Sequence, residues 1–164
     1  MTAAAATAAE PDPVGGAPVE LMAVPEIVHR RPRTPAGEYL RATVINRPAG
    51  WDVRPDHAAR AFFARAFTLA VRRRFRPDSP VADIARTVAD VCRRHATLAL
   101  SALETEMLVR HALGEAAPVE DIPADRVVAA HVVMFVALVD GVALTDEEID
   151  ELITTAEDTP GWLT

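Results

Sequence analysis

Cys92 and His95 are the residues whose types and spacing come nearest to a metal site. A cysteine and a histidine three positions apart lie on one face of a helix, and both are common zinc ligands. A structural zinc site needs four ligands, usually arranged as two recognisable pairs, and no second pair is present. The isolated residues that could add ligands are His111, His131, Glu104 and Glu106. We therefore predict no metal site and expect Cys92 and His95 to be packing residues.

The stretch LTDEEIDELI, Leu144 to Ile153, resembles the helix that leads into a calcium loop in calmodulin-like proteins. Such a loop needs repeated oxygen ligands, a central glycine and a closing glutamate within twelve residues. The chain after Ile153 reads TTAEDTPGWLT and supplies no such pattern. Thr145 and Glu148 instead match a capping box, which explains the acids as the first turn of an ordinary helix. We expect no calcium binding.

Motifs for covalent or phosphate chemistry are missing from the sequence. There is no GxSxG nucleophile turn, no glycine-rich phosphate loop and no HExxH zinc motif. Cys92 would act as a nucleophile only if the fold placed a base beside it, and a buried helical cysteine is usually inert packing. We therefore predict that the protein is not an enzyme and binds no cofactor.

The charges are distributed unevenly along a chain whose formal net charge is −7. Residues 57–95 carry nine arginines against three acids, whereas residues 96–164 carry two arginines against fourteen acids. Opposite charges of this kind attract each other within one fold or face different partners. We predict a basic partner-contact patch, with a solvated helix end favoured by the helix dipole as the alternative. The patch consists of Arg72, Arg73, Arg74 and Arg76.

Residues 1–55 are rich in proline and are predicted to form an extended N-terminal arm and linker. Within the arm, Val19 to Val28 is apolar enough to dock on a surface, as short recognition segments do. Its predicted anchors are Leu21, Met22, Val24 and Ile27. A short strand is an alternative for Tyr39 to Ile45, a stretch that alternates in part and is rich in β-branched residues.

Residues 56–164 are predicted to form a helical domain, because apolar residues recur there at helical spacing. One apolar seam runs from Val81 to Leu98, and the thirteen residues from Val127 to Val139 predict a buried central helix. Residues 80–113 contain no interior proline or glycine, but Ser101 and Glu104 form a capping pattern that favours two helices over one. The last helix is predicted from Asp146 to about Asp158. The fold class is thus all-α, a bundle of four or five helices after the arm.

A DNA-binding interpretation comes from Pro80 to Leu100, which resembles a helix-turn-helix. The resemblance departs from that motif at Ala89, where glycine is typical, and at Asp90, where an apolar residue is typical. A small-molecule interpretation comes from apolar residues of the central helix together with one histidine. These residues are His131, Met134 and Phe135. The alternative function is therefore a DNA-binding or small-molecule-sensing bacterial transcriptional regulator.

The composition also favours a particular cellular location and origin of the protein. A single cysteine and the absence of a signal-peptide pattern favour a cytoplasmic location, and arginine without any lysine favours a bacterial origin. The longest apolar run is shorter than the ~20 residues that a membrane helix needs, so we expect no membrane partner. The predicted function is a non-enzymatic helical protein–protein interaction module, a regulatory or structural subunit of a larger assembly. The expected partner is another protein or a second copy, with nucleic acid as the weaker alternative.

Overall fold

The computed structural model describes residues 30–46 and 55–159, and this part of the chain is all-helical. The predicted fold class is confirmed, and a helical bundle is formed. A short 3₁₀ turn, Ala96–Leu98, is present in addition to the α-helices. The α-helices are α1 Pro35–Asn46, α2 His57–Arg74, α3 Val81–Arg94, α4 Ala102–Ala112, α5 Ala124–Gly141 and α6 Asp146–Asp158.

The strand alternative at Tyr39 to Ile45 is wrong, because these residues lie inside α1. The Thr34 hydroxyl accepts a hydrogen bond from the Gly37 backbone N–H at 3.0 Å, and Pro35 occupies the first helical position, where its missing N–H costs nothing. Leu40 is fully buried against the bundle. Helix α1 thus packs on the helices of the range 56–164, although it belongs to the predicted arm. The division of the chain after residue 55 stays a prediction.

The helices form three layers. α2 and α5 make the most extensive helix–helix contact of the described chain and form the central layer. α1 and α6 cover one side of this layer, and α3 and α4 cover the other. Side chains from all six helices close one aliphatic and aromatic core. Its largest fully buried members are Phe63, Phe67, Phe135, Leu40, Ile84, Met134, Leu138 and Ile153.

Residues 80–113 form two helices, as the capping pattern predicts. Helix α3 ends at Arg94, the 3₁₀ turn follows, and Ala99 adopts a left-handed conformation with φ of 47°. The Ser101 side chain then accepts a hydrogen bond from the Glu104 backbone N–H at 3.2 Å and starts α4. A non-glycine residue in the left-handed region costs about 1–2 kcal/mol, so the break is a defined feature of the backbone.

The two C-terminal helices match the sequence predictions closely. Helix α5 buries nine of its residues and runs through the centre of the bundle. Helix α6 begins with the predicted capping box, in which Thr145 and Glu148 exchange hydrogen bonds. Within the ranges that the structure describes, no helix is both long enough and apolar enough to cross a membrane.

Candidate functional site

Four acidic side chains of α6 pair with arginines of the same chain, namely Glu148, Asp150, Glu157 and Asp158. Arg73 donates from Nη2 to Glu148 Oε1 at 2.7 Å, and Arg41 donates from Nε to Asp150 Oδ1 at 2.5 Å. The hydrogen bond from the Thr145 backbone N–H and the neighbouring Arg73 guanidinium lower the pKa of Glu148. Some of the acidic residues in the C-terminal part of the sequence are therefore neutralised by arginines of the same fold.

Glu157, in the last turn of α6, holds the start of α1. Its carboxylate accepts hydrogen bonds from the Thr34 backbone N–H and hydroxyl, each at 2.8 Å, and from the Arg33 backbone N–H at 3.0 Å. The Glu157 side chain is only 2% exposed. Burial raises its pKa, but the hydrogen bonds from Thr34 and Arg33 outweigh burial and leave the pKa below its usual value. Next to it, Asp158 pairs with the guanidinium groups of Arg33 and Arg30.

The predicted basic patch at the end of α2 does not form one free surface. Arg72 donates from Nε to the Ala112 carbonyl oxygen at 3.0 Å, and Arg73 is paired with Glu148. The Arg74 guanidinium lies 5.2 Å from the centre of the Phe75 ring. Arg76 lies 3.5 Å from Asp78, and both side chains are more than 80% exposed. A role of the four arginines in partner binding stays a prediction.

The predicted anchors of the arm lie outside the described residues. They are Leu21, Met22, Val24 and Ile27.

The metal candidates are not brought together. Cys92 is half-buried, with Sγ 4.0 Å from Thr105 Oγ1, and His95 is half-buried at the end of α3. In residues 30–46 and 55–159, no group of three or more His, Cys, Asp or Glu side chains is placed to hold a metal ion.

His131 lies in the core of the bundle. Its ring stacks on Phe67 with centroids 4.6 Å apart, and its Nδ1 atom has no hydrogen-bond partner. Burial, with a smaller effect of His111, lowers its pKa to about 3. The imidazole is therefore neutral near pH 7. Met134 and Phe135, which the small-molecule interpretation also used, are fully buried members of the same core.

The helix-turn-helix interpretation does not hold for Pro80 to Leu100. Helix α3 is continuous from Val81 to Arg94, so Ala89 and Asp90 lie within a helix and not in a turn. Their exposed positions fit the outer face of an amphipathic helix whose inner face buries Ile84 and Val88. The segment thus presents one helix to solvent and has no second helix in the position of a recognition helix.

An exposed apolar surface lies where α3 and α4 meet. We name residues Ala96 to Leu103 the α3–α4 tip. Leu98 is 37% exposed and Leu103 is 69% exposed, the highest exposure among the large apolar side chains that the structure describes. Ala96, Ala99 and Ala102 are exposed as well. No residue between Arg94 and Glu104 carries a formal charge, so the tip is uncharged across its whole length.

Charged residues border the tip on both sides. Asp90 accepts a hydrogen bond from the Arg93 guanidinium and lies 3.9 Å from the Arg94 guanidinium, so one carboxylate pairs with two arginines. On the other side, Arg126 of α5 donates to Glu104 at 3.0 Å. The border therefore keeps an excess of positive charge, and its arginine side chains are more than half exposed.

The sequence does not predict this surface. The predicted apolar seam from Val81 to Leu98 assigns Leu98 to the buried face of α3, because the helical spacing continues to that residue. The helix ends four residues earlier, so Leu98 leaves the buried face. The signal that could have revealed the tip is the uncharged run ATLALSAL directly before and across a predicted helix start.

No protein-family model, no curated protein and no solved structure matches this chain.

Proposed function

We propose that the protein is a non-enzymatic helical interaction module, a regulatory or structural subunit of a larger assembly, and that it binds another protein through the α3–α4 tip. The observation that carries the proposal is the exposure of Leu103, at 69%, within an uncharged surface segment.

Exposed apolar side chains that occur singly are ordinary on protein surfaces. The tip differs because two exposed leucines and three exposed alanines lie within eight residues without an intervening charge. Burying one fully exposed leucine side chain is worth about 1.5–3 kcal/mol. Leu98 and Leu103 are 37% and 69% exposed, so a partner that covered both would gain about 2–3 kcal/mol from them. This gain is available because the fold leaves both side chains partly exposed.

The backbone of the tip supports the same proposal. Ala99 keeps the left-handed conformation at a cost of about 1–2 kcal/mol, although glycine would adopt it more readily. Ala143, after α5 and outside the tip, has the same conformation with φ of 51°, so the conformation acts through the chain path and does not by itself mark a binding site. Here the path turns Leu98 outward and starts α4 with Leu103 facing solvent.

The border of the tip has the composition of an interface rim. Arginine is enriched in protein interfaces, where it orients the partner and speeds association more than it adds affinity. Arg93, Arg94 and Arg126 are exposed around the uncharged tip and are available for a partner with acidic residues beside its apolar ones.

The test compares the proteins captured by the wild type with those captured by two variants, each of which carries a glutamate at an exposed apolar position. Leu103→Glu places a charge in the tip, whereas Val142→Glu places one at an exposed valine after α5, outside the tip. Each tagged chain is incubated with lysate of the source cells, and the captured proteins are quantified by mass spectrometry. We expect Leu103→Glu to lose at least one protein that the wild type and Val142→Glu both retain. Identical capture by all three chains would contradict the proposal.

A further inference from the structure

We propose that the α3–α4 tip binds the segment Val19–Val28 of a second copy of this chain, so that two copies exchange these segments reciprocally. The inference rests on the proposed function and names the partner of the same surface.

The segment matches the tip in both apolarity and charge. It supplies Leu21, Met22, Val24 and Ile27, which are suited to cover exposed leucines. It also carries Glu20 and Glu26, and no lysine or arginine precedes Arg30 in the chain. The tip offers exposed apolar side chains at Leu98 and Leu103. Beside them, Arg93 and Arg94 share the single carboxylate of Asp90, which leaves an excess of positive charge. A mostly apolar segment with two acidic residues would thus meet an apolar surface with a basic border.

The described chain begins on the side of the bundle that is opposite the tip. Arg30 and Arg33 pair with Asp158 at the end of α6, and Glu157 holds Thr34. These contacts hold the start of the described chain on the layer formed by α1 and α6. The tip belongs to the layer formed by α3 and α4, and the central layer of α2 and α5 separates the two.

The length of the connection favours the second copy over the same chain. Helix axes in contact lie about 8–10 Å apart, so the two outer layers are separated by about 16–20 Å. An extended chain spans at most about 3.6 Å per residue, so Ile27 lies within about 11 Å of Arg30. By this limit Ile27 cannot reach the tip of its own chain, whereas Leu21, Met22 and Val24, six to nine residues before Arg30, can span the distance. The segment Val19–Val28 as a whole therefore cannot lie on the tip of its own chain. A second copy can place its tip beside the segment without this restriction.

Reciprocal exchange gives a closed arrangement. Each copy has one segment and one tip, so a two-fold dimer uses both segments and both tips. Such a dimer leaves no tip open for further growth of the assembly. It also predicts that a segment variant and a tip variant complement each other, because the mixed dimer keeps one intact contact.

The first experiment measures the mass of the full chain by size-exclusion chromatography with light scattering at micromolar concentration. The chains are the wild type, Leu103→Glu, the double variant Leu21→Glu with Ile27→Glu, and Val142→Glu as the control. Circular dichroism verifies that each chain keeps its helical content. We expect the wild type and Val142→Glu to be dimers, the other two to be monomers, and an equimolar mixture of those two to regain dimers.

A monomeric wild type, or a dimer that Leu103→Glu leaves intact, would overturn the inference. Failure of the mixture to form dimers would overturn it too. If the wild type is a monomer while Leu103→Glu still loses captured proteins, the second copy is the wrong partner and the proposed function stands. If Leu103→Glu changes neither the mass nor the captured proteins, both fail.

A second experiment identifies the chain that supplies the segment. Cys92 is the only cysteine, so Cys92→Ala provides a background for the pair Met22→Cys and Leu103→Cys. Mild oxidation followed by a non-reducing gel should give a covalent dimer, and each single-cysteine chain is the control. An internally cross-linked monomer, seen as a loss of free thiol without a change in mass, would overturn the exchange between copies. No cross-link at all would overturn the docking of the segment on the tip.

Discussion

Glu157 caps helix α1 from the last turn of α6, because its carboxylate accepts hydrogen bonds from both the backbone N–H and the hydroxyl of Thr34. The two residues are 123 positions apart in the sequence. A helix start is usually capped by its own neighbouring side chains, whereas this one also uses a carboxylate from another helix. The contact ties the first described helix to the last and places a negative charge at the positive end of α1.

Glu157→Gln should destabilise the fold by about 1–3 kcal/mol, because it removes the buried charge that satisfies these donors. Asp158→Asn is the control, since Asp158 is 46% exposed and exposed ion pairs contribute only about 0–1 kcal/mol. Urea unfolding followed by circular dichroism gives both free energies. Equal, small effects of the two substitutions would show that the contact with Thr34 does not stabilise the fold.

The same contact should make the free energy of unfolding depend on pH. The hydrogen bonds at Glu157 leave its pKa below the usual value near 4.5, so the folded state holds the carboxylate in its charged form. The resulting stability is present above the pKa of the unfolded chain and is lost as the pH falls through the lower pKa of the folded chain. In urea unfolding between pH 6 and pH 3, Glu157→Gln should lose less stability than the wild type. Parallel pH profiles would contradict this.

Gly37→Ala should destabilise the fold by about 1–3 kcal/mol, although alanine favours helices. A Cβ atom at this position would overlap Glu157 Oε1 and would lie 3.2 Å from Ile153 Cγ2. The carboxylate cannot move away without giving up its bonds to Thr34. Gly141→Ala is the matched control, because a Cβ there meets nothing within 4 Å. Thermal unfolding should show a lower Tm for Gly37→Ala and an unchanged or higher Tm for Gly141→Ala. The opposite order would show that α1 and α6 can separate to admit the methyl group.

The sequence predicts the elements whose signals are local. The capping box at Thr145, the cap at Ser101 and the apolar run of α5 each depend on residues a few positions apart, and each is present in the structure. The sequence does not predict helix α1, because three β-branched residues follow each other at Thr43 to Ile45 and its cap depends partly on Glu157, which is distant in sequence. The sequence does not predict the α3–α4 tip, because no proline or glycine marks the end of α3 at Arg94 and the apolar spacing continues to Leu98.

His131→Met should reduce the loss of stability that the fold suffers on mild acidification. Burial lowers the pKa of His131 to about 3, so below pH 6.5 the unfolded chain binds a proton that the folded chain does not. Stability therefore decreases as the pH falls from about 6.5 towards 3, by up to about 1.4 kcal/mol per pH unit from this group. Urea unfolding at pH 7 and pH 5 should give a smaller difference for His131→Met than for the wild type.

The control for this experiment is His57→Ala, which removes an exposed imidazole at the start of α2. It should keep the pH difference of the wild type. If His131→Met keeps the full difference as well, the acid sensitivity does not originate from the buried ring that stacks on Phe67.

Arg72→Ala and Arg76→Ala should separate two roles within the predicted basic patch. The Arg72 side chain donates to the Ala112 carbonyl oxygen at the end of α4, so its loss should cost about 1 kcal/mol of stability. Arg76 faces solvent and its pair with Asp78 is exposed, so Arg76→Ala should leave the unfolding free energy nearly unchanged. Light scattering of both variants at low and high salt tests the patch as a partner contact. If Arg76→Ala weakens association while stability stays constant, the patch binds a partner. If neither arginine affects association and only Arg72 affects stability, these two side chains serve the fold or the solvent-exposed helix end alone.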